Sequence, residues 1–256
     1  MKFEDIDFAG MFREIQRERK KEDRKAKQER WDKRAPSFLS PKKSSYTKTF
    51  LDKMTLFKDD EVIDFGCGPG TIALEVAPVV KSVLGCDISR GMLDQLENNA
   101  RNLGLTNIEA KQKAFEDSFD DLPECDVFIA SRSLDVADIE DILKKIISKT
   151  KRSVYLTYKV GKYFFGKEIS EVLGVAPAPD YILVLNILYN LGVNAKLDFI
   201  RYEDTRLDST SFDEFIQKVS WYCGEPSSEQ KRELEKIYNK REHKDTMGWA
   251  FISFDV

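Results

Sequence analysis

The sequence feature that most constrains the fold is the segment Glu-Val-Ile-Asp-Phe-Gly-Cys-Gly-Pro-Gly at residues 61–70. Its first half is a short apolar run that predicts a β-strand, and its second half contains three glycines in alternation. Glycine permits positive φ values and leaves the backbone open to close approach by another group. A ligand can therefore contact the main chain directly after this strand.

Two more elements follow the glycines in the order that an α/β sheet requires. Residues 71–80 have apolar side chains at helical spacing, and residues 82–86 predict a second buried strand with Asp87 at its carboxyl end. Ligands of open α/β sheets bind at the carboxyl ends of the strands. The succession of strand, glycine turn, helix, strand and acid therefore predicts a nucleotide-shaped pocket.

The spacing of the glycines indicates which nucleotide to expect. A dinucleotide-binding turn has the pattern GxGxxG, whose third glycine would fall at Thr71, whereas this chain has GxGxG. The GxGxG turn, with Asp64 before it and Asp87 after the second strand, resembles the class I, Rossmann-like S-adenosylmethionine-dependent methyltransferases. The resemblance covers about residues 31–160 and extends to four further segments: 87–93, 125–131, 134–138 and 152–158.

This resemblance implies S-adenosylmethionine as the cofactor and a set of residues that bind it. The backbone at residues 66–68 would approach the amino acid moiety, and the Asp87 carboxylate would accept both ribose hydroxyls. Ile88 and Met92 would enclose the adenine with apolar surface. The cofactor-binding candidates are Asp64, Gly66, Cys67, Gly68, Asp87, Ile88, Met92, Phe115, Glu116 and Ser131.

Recognition of the adenine edge is where the chain departs from the family pattern. Phe115 and Glu116 are expected near that edge, but the acid often found after the third strand of the family falls at Ala114. Glu116 and Asp117 are the two acids left to make this contact. Which of them does so stays open.

A plainer interpretation of the glycine turn stands beside the cofactor site. Glycine turns after strands often serve only the tight packing of a strand against a helix. The joint occurrence of the turn, the acid and the later segments favours the cofactor site. Cys67 is expected to be a small spacer rather than a nucleophile, and Ser89 is expected to cap the helix that follows Asp87.

Strand and helix patterns alternate through the middle of the chain, which predicts a parallel sheet. The predicted fold is α/β: a doubly wound, mostly parallel seven-stranded Rossmann-like sheet with helices on both faces. The resemblance makes the last strand, at residues 249–254, antiparallel. Residues 1–45 are predicted to be an N-terminal helical arm and residues 46–256 the methyltransferase domain.

Two insertions are predicted within the domain, a cap at about residues 161–191 and a helical insertion at about residues 208–243. The cap follows the fifth strand directly and would reach the ligand edge of the sheet. Its apolar face is expected to comprise Tyr163, Phe164, Phe165, Tyr181, Leu185 and Leu188. The face would close over the acceptor, extend the core, or pair with a second copy of the chain in a homodimer.

Composition limits the class of protein. The 256 residues suit one α/β domain with insertions, and no apolar run approaches the roughly 18 residues that a membrane span needs. The N-terminus is too acidic for a secretory signal, so a cytoplasmic location without membrane association is expected. The four cysteines lack CxxC spacing, which predicts a reducing compartment and no zinc or other metal site.

The distribution of charge bears on nucleic acids as partners. The net charge of -4 disfavours a protein that coats nucleic acid through a general basic surface. Residues 13–34 are the exception, with eleven Lys or Arg against six Asp or Glu and no glycine or proline. Such a run is most simply a solvated helix, and an arm that grips RNA is the alternative.

The segment after the fourth strand disfavours two classes of methyl acceptor. Enzymes of the family that methylate exocyclic base amines usually have an Asp/Asn-Pro-Pro-aromatic segment there, whereas this chain has Ser-Arg-Ser-Leu at residues 131–134. Cytosine carbon methylation would need a cysteine at that end, and Cys125 lies at the other end of the strand. An oxygen, nitrogen or carbon acceptor on a small molecule is therefore expected.

The sequence alone does not identify the catalytic residue. The candidates near the acceptor are Arg132, Tyr158, Tyr163 and His243, and Lys159 and Lys162 add positive charge that would suit an anionic small molecule. Each of them has a plainer interpretation as a loop charge or a packing aromatic. An RNA methyltransferase that uses the basic arm, and a cofactor-binding protein without methyl transfer, are the alternative functions.

Overall fold

The structure, a computed structural model, describes residue 2 and residues 5–19, 23–38, 44–163, 165–203, 205–240 and 246–256. Seven strands form one sheet in the order β3-β2-β1-β4-β5-β7-β6. The strands are β1 (Glu61–Phe65), β2 (Ser82–Asp87), β3 (Ile108–Gln112), β4 (Cys125–Ala130), β5 (Thr150–Lys159), β6 (Lys196–Glu203) and β7 (Thr246–Asp255). β7 is antiparallel to both of its neighbours, as predicted.

The described residues form ten α-helices. They are α1 (Phe8–Glu18), α2 (Arg24–Arg34), α3 (Ser45–Asp52), α4 (Ala73–Val76), α5 (Arg90–Asn102), α6 (Ile139–Lys149), α7 (Lys167–Leu173), α8 (Tyr181–Asn190), α9 (Phe212–Cys223) and α10 (Ser228–Lys240). Within the described parts of the chain, no helix combines the length and apolarity needed to cross a membrane.

The sheet lies between two layers of helices, which confirms the predicted fold class. One apolar cluster includes buried residues of α3, α4 and α5, and the other includes buried residues of α1, α6 and α8. Helix α6 shows why the sequence folds this way, because Ile139, Ile142, Leu143 and Ile146 recur at helical spacing and are all buried. Helix α5 packs in the same way against the opposite face of the sheet, where Leu93 and Leu96 are buried.

A third apolar cluster lies outside the two layers. It joins α7, α9 and α10 around Phe215 and Leu234, whose side chains are fully buried. The chain thus places a small helical body beside the sheet, within the segments that were predicted to be insertions.

Two predicted helices differ from the structure. Residues 71–80 form only the short α4 and a 3-10 turn at Ala77–Val79, because Pro78 cannot continue an α-helix. The basic run at residues 13–34 forms two helices rather than one, since Arg19 has an extended backbone with φ −79° and ψ 131°.

The insertion after β5 is present as α7 and α8, but its expected single apolar face is not formed. Leu188 is buried in the main core beneath the sheet, whereas Phe165 belongs to the third cluster. Tyr181 packs edge-on against Phe199 of β6. Phe164 lies outside the described residues. Helix α8 therefore extends the core, since an almost wholly apolar helix is most stable where several of its sides are covered.

Candidate functional site

The glycine turn after β1 holds an open stretch of backbone. Gly66, Gly68 and Gly70 have φ values of 73°, 55° and 93°, which other residues rarely adopt. The amides of Gly66 and Cys67 both donate to the Cys86 carbonyl of β2, at 2.7 and 3.0 Å. A Cβ atom on Gly68 would meet nothing within 4 Å, so the main chain there is accessible to a ligand.

The Asp87 carboxylate fixes this turn to the end of β2. Its Oδ2 accepts a hydrogen bond from the Gly68 amide and its Oδ1 accepts one from the Ser89 amide, each at 2.9 Å. Burial raises the pKa of Asp87, while the two amides and the charge of Lys27 oppose that rise. The Ser89 hydroxyl accepts from the Met92 amide at 3.0 Å, which confirms Ser89 as the N-cap of α5.

Asp64 lies beneath the turn and is 1% exposed. Its Oδ2 accepts a hydrogen bond from the Ala73 amide at 3.1 Å. Burial raises the pKa of Asp64 to about 7, and the negative charge of Asp87 adds to the rise. The carboxyl group therefore exchanges its proton close to neutral pH, which is unusual for an aspartate.

The Cys67 thiol is unsuited to nucleophilic chemistry. It is buried, and burial raises its pKa well above the ordinary value, with the nearby charges of Asp64 and Asp87 adding to the rise. A thiol is a strong nucleophile only as the thiolate, which this environment disfavours. The environment of Cys67 is consistent with its expected role as a small spacer.

The remaining candidates around the adenine differ in exposure. Met92 is buried, whereas Ile88 is half-buried and Glu116 is exposed. The Phe115 ring stacks on the Phe65 ring with centroids 4.3 Å apart, so one of its faces is committed to the core. The Asp117 carboxylate accepts a hydrogen bond from the Ala114 amide at 2.9 Å. Ala114 is the position at which the family has its acid.

At the end of β4 the chain makes a strained turn. Arg132 has φ 56°, a left-handed conformation that costs a non-glycine residue about 1–2 kcal/mol. Its amide donates to the Thr157 hydroxyl at 2.9 Å, and its guanidinium lies 4.1 Å from the centroid of the Tyr46 ring. The Tyr46 hydroxyl in turn forms hydrogen bonds with Ser131 at 2.7 Å and with Thr157 at 2.9 Å. These bonds hold the Arg132 backbone in its unfavourable conformation.

The positive charge of the Arg132 side chain is not neutralised by an acid among the described residues. The residue is exposed, and within the described part of the chain its guanidinium makes no hydrogen bond or ion pair. Backbone strain is retained where the surrounding structure fixes it, and it clusters at functional sites. Arg132 is therefore suited to bind an anion.

The other weak candidates do not join Arg132. Tyr158 lies on the opposite face of the sheet, packed edge-on against Phe12 of α1. The Tyr163 carbonyl accepts from the Lys159 ammonium, which directs that charge back to its own loop. His243 lies outside the described residues.

Sequence reasoning missed two acids at this edge. Asp180 precedes α8 but does not cap it, and its Oδ1 is buried without a hydrogen bond in the described structure. Burial raises the pKa of Tyr158, and the negative charges of Asp135 and Asp180 add to the rise while the charge of Arg19 opposes it. The second missed acid is Asp32 of α2, which bonds to Ser89 and Gly91. The only sequence signal for Asp180 was the Pro-Ala-Pro break before it.

This architecture defines a Rossmann-like α/β protein whose ligand edge has a glycine turn and an acid at the end of β2. A family model described as a methyltransferase domain matches residues 56–168. A protein of Haemophilus influenzae named only as uncharacterized is 34% identical over 238 residues, which are 89% of this chain and 89% of that protein.

Two other relatives match over shorter spans. A Methanocaldococcus jannaschii protein named "Probable cobalt-precorrin-6B C(15)-methyltransferase (decarboxylating)" is 30% identical over 95 residues, 37% of this chain and 51% of that protein. The 23S rRNA (uracil(1939)-C(5))-methyltransferase of Haemophilus parainfluenzae is 34% identical over 76 residues, 30% of this chain and 17% of that protein.

A solved structure shows the same fold at low sequence identity. The S-adenosylmethionine-dependent methyltransferase of Geobacter sulfurreducens, in complex with S-adenosyl-L-homocysteine, matches with a TM-score of 0.59 and 11% identity, over 86% of this chain and 95% of that one. Residues 56–168 therefore form a methyltransferase domain, and the chain has the Rossmann-like α/β fold of solved S-adenosylmethionine-dependent methyltransferases.

The raised pKa of Asp64 predicts a specific pH dependence of stability. Because the folded-state pKa of about 7 exceeds the ordinary 3.8, folding favours the protonated acid, so its contribution is complete below about pH 4 and is lost as pH rises towards and through 7. Asp64→Asn should remove that loss, which is roughly 2 to 4 kcal/mol between pH 4 and pH 8. Urea denaturation at several pH values measures it.

The exposed Asp94→Asn variant serves as the control, since Asp94 pairs with Arg90 on the surface of α5. It should keep the wild-type pH dependence. An Asp64→Asn protein that loses stability with pH as steeply as the wild type would refute the assignment to Asp64.

Proposed function

We propose that this methyltransferase transfers the methyl group to an oxygen, nitrogen or carbon atom of a small anionic molecule, which arrives at the carboxyl ends of β4 and β5. The observation that carries the proposal is the strained, exposed Arg132, whose guanidinium rests on Tyr46 and has no carboxylate partner among the described residues. A guanidinium of this kind binds carboxylate or phosphate in a fixed orientation.

We place the cofactor beside the glycine turn. The backbone of residues 66–68 would receive its amino acid moiety, and the Asp87 carboxylate would receive the ribose hydroxyls. Each Asp87 oxygen accepts one amide in the structure and retains acceptor capacity for a hydroxyl. Ile88 and Met92 then contact the adenine, while the exposed Glu116 lies near its edge.

Methyl transfer requires an in-line approach to the sulfonium, with the attacking atom about 3 to 3.5 Å from the methyl carbon. Arg132 follows β4 directly, and Gly66 lies close to that segment, since a Cβ on Gly66 would be 2.2 Å from the Ser133 Cβ. An anion held by Arg132 is therefore adjacent to the cofactor turn. The orientation of the anion is fixed because Tyr46 and Thr157 hold Arg132 in place.

An RNA acceptor is the second candidate, and one surface favours it. Arg30 and Arg34 both lie over the Trp31 ring, at 4.9 and 5.4 Å from its centroid, and aromatic rings beside cations bind single-stranded bases. Arg34 also donates to the Trp221 carbonyl and lies 4.6 Å from the Trp221 ring centroid, while Arg13 pairs with Asp138 and Glu140 of the body. The third candidate, binding of the cofactor without transfer, is tested by the same assays.

The cofactor placement predicts that Asp87→Ala weakens binding of S-adenosylhomocysteine by roughly 1.5 to 3 kcal/mol, the scale of hydrogen bonds to a charged group. Isothermal titration calorimetry measures the affinity. Asp94→Asn, on the exposed side of the adjoining helix, should bind as the wild type does. Equal affinity in Asp87→Ala and wild type would remove Asp87 from the site.

The anionic acceptor predicts where a labelled methyl group appears. With methyl-tritiated S-adenosylmethionine, label should enter the acidic small-molecule fraction of a cell extract and not its RNA fraction. Arg132→Met should lower transfer by roughly 10- to 100-fold and Arg132→Lys should restore part of it, with unchanged affinity for S-adenosylhomocysteine.

Arg201→Met provides a matched control, because Arg201 also lies over an aromatic ring, that of Phe199, at the far edge of the sheet. It should transfer at the wild-type rate. Label that enters RNA instead would establish the second candidate, and no transfer to either fraction would favour the third.

A further inference from the structure

Three aromatic residues, Tyr46, Tyr202 and Trp249, form a ring cluster beside Arg132. The Arg132 guanidinium lies over the Tyr46 ring, 4.1 Å from its centroid. The rings of Tyr202 and Trp249 meet the Tyr46 ring edge-on, with centroids 6.0 and 6.3 Å from it. Tyr46 is only 1% exposed, whereas Tyr202 and Trp249 are half-buried. The accessible surface of the ring cluster is therefore supplied by Tyr202 and Trp249, next to an exposed guanidinium.

The pairing of the strands places these two outer rings at the ligand edge. Trp249 of β7 pairs with Lys159, which is the last residue of β5. The Arg132 amide donates to Thr157, two residues earlier on β5. Tyr202 lies near the end of β6, which runs in the same direction as β5 because both strands are antiparallel to β7. Both outer rings thus lie at the edge where we propose that the acceptor arrives.

Hydrogen bonds between the outer rings and their neighbour fix them in place. The Trp249 Nε1 donates to the Tyr202 hydroxyl at 3.2 Å, and that hydroxyl donates to the Met247 Sδ at 3.1 Å. The indole of Trp249 has no further donor, so its accessible part is apolar. The ring cluster therefore offers a rigid aromatic wall beside the positive charge.

A positive charge next to an aromatic wall is complementary to one kind of small molecule. The guanidinium attracts a carboxylate or phosphate, and an aromatic ring attracts a second ring beyond what the burial of the same area would provide. Tyr46 sets the spacing of the two features, because Arg132 lies on its face while Tyr202 and Trp249 contact its edges. All three side chains contact one ring, so a single small molecule can reach them together.

We propose that the acceptor is an aromatic ring that carries an anionic group, with the anionic group on Arg132 and the ring against Trp249 and Tyr202. This rests on the anionic small-molecule acceptor proposed above and adds its chemical class. The ring cluster then determines specificity, since it favours an aromatic acid over an aliphatic acid of the same charge and size.

A purely structural role of the ring cluster makes a different prediction. Tyr202 and Trp249 pack against the apolar cluster on the α3 face of the sheet, so their replacement can lower stability. Packing alone gives them no influence on which of two bound acids is preferred. A change in the ratio of two affinities therefore reports contact with the ligand rather than a loss of packing.

The experiment compares benzoate with cyclohexanecarboxylate, which have the same charge at neutral pH and nearly the same size. Ligand-observed NMR measures the affinity of each for the full chain in the presence of S-adenosylhomocysteine. The wild type should bind benzoate roughly 3- to 10-fold more tightly, the range that contacts between aromatic rings provide. A surface that is merely apolar would not prefer the flat ring.

Substitutions assign the preference to the ring cluster. Trp249→Leu should abolish the preference while both acids still bind, and Trp249→Phe should keep most of it. Trp221→Leu is the matched control, because Trp221 is an exposed tryptophan of α9 that also lies beside an arginine, Arg34. It should keep the wild-type preference. Tyr202→Leu is an independent test if Trp249→Leu does not fold, which circular dichroism checks.

The outcomes separate this inference from the function on which it rests. Equal affinities for the two acids in the wild type, both weakened in Arg132→Met, would overturn the aromatic acceptor and leave the anionic one. A preference for benzoate that survives both Trp249→Leu and Tyr202→Leu would also overturn it. Affinities that Arg132→Met leaves unchanged, or no binding of either acid, would overturn the anionic acceptor and the aromatic one with it.

Discussion

The Asp87 carboxylate is the interaction on which the arrangement of the site depends. It lies at the end of β2 and accepts from Gly68 of the glycine turn and from Ser89 at the start of α5. This one side chain therefore fixes three elements relative to one another: β2, the glycine turn and the start of α5. The carboxylate tolerates burial because both oxygens are hydrogen-bonded, and an acid in the same place without these amides would favour its neutral form.

Asp64 lies on the adjacent strand, β1, and shows the effect of fewer hydrogen bonds. It has one hydrogen bond, from the Ala73 amide, and its pKa rises to about 7. Burial raises the pKa of both acids, and the negative charge of Asp87 adds to the rise at Asp64. A bound cation, such as the sulfonium or the amine of the cofactor, would favour the ionised form of both. Cofactor binding near neutral pH should therefore be coupled to proton release.

The parts of the fold that sequence reasoning predicted are those encoded locally. The glycine turn, the Ser89 cap and the strands around them follow from short patterns, and the comparisons confirm the sheet. Asp32 was missed because its hydrogen bonds cross more than fifty residues of the chain, and nothing beside Asp32 or Asp180 in the sequence distinguishes either from a solvated acid. The split of the expected cap had a similar cause, since α8 looks like a lid in sequence and is a core helix only because β5, α1 and α6 surround it.

The position of β7 has a consequence for how the chain acquires its fold. In the described sheet β6 is the edge strand and β7 is its sole neighbour, while β7 also pairs with β5. The helical body of α9 and α10 is synthesised between them. The β5–β7 pairing therefore joins segments on either side of β6 and the helical body, a non-local kind of pairing that slows folding. Until β7 is in place, β6 has no partner strand in the described sheet and β5 has one open edge.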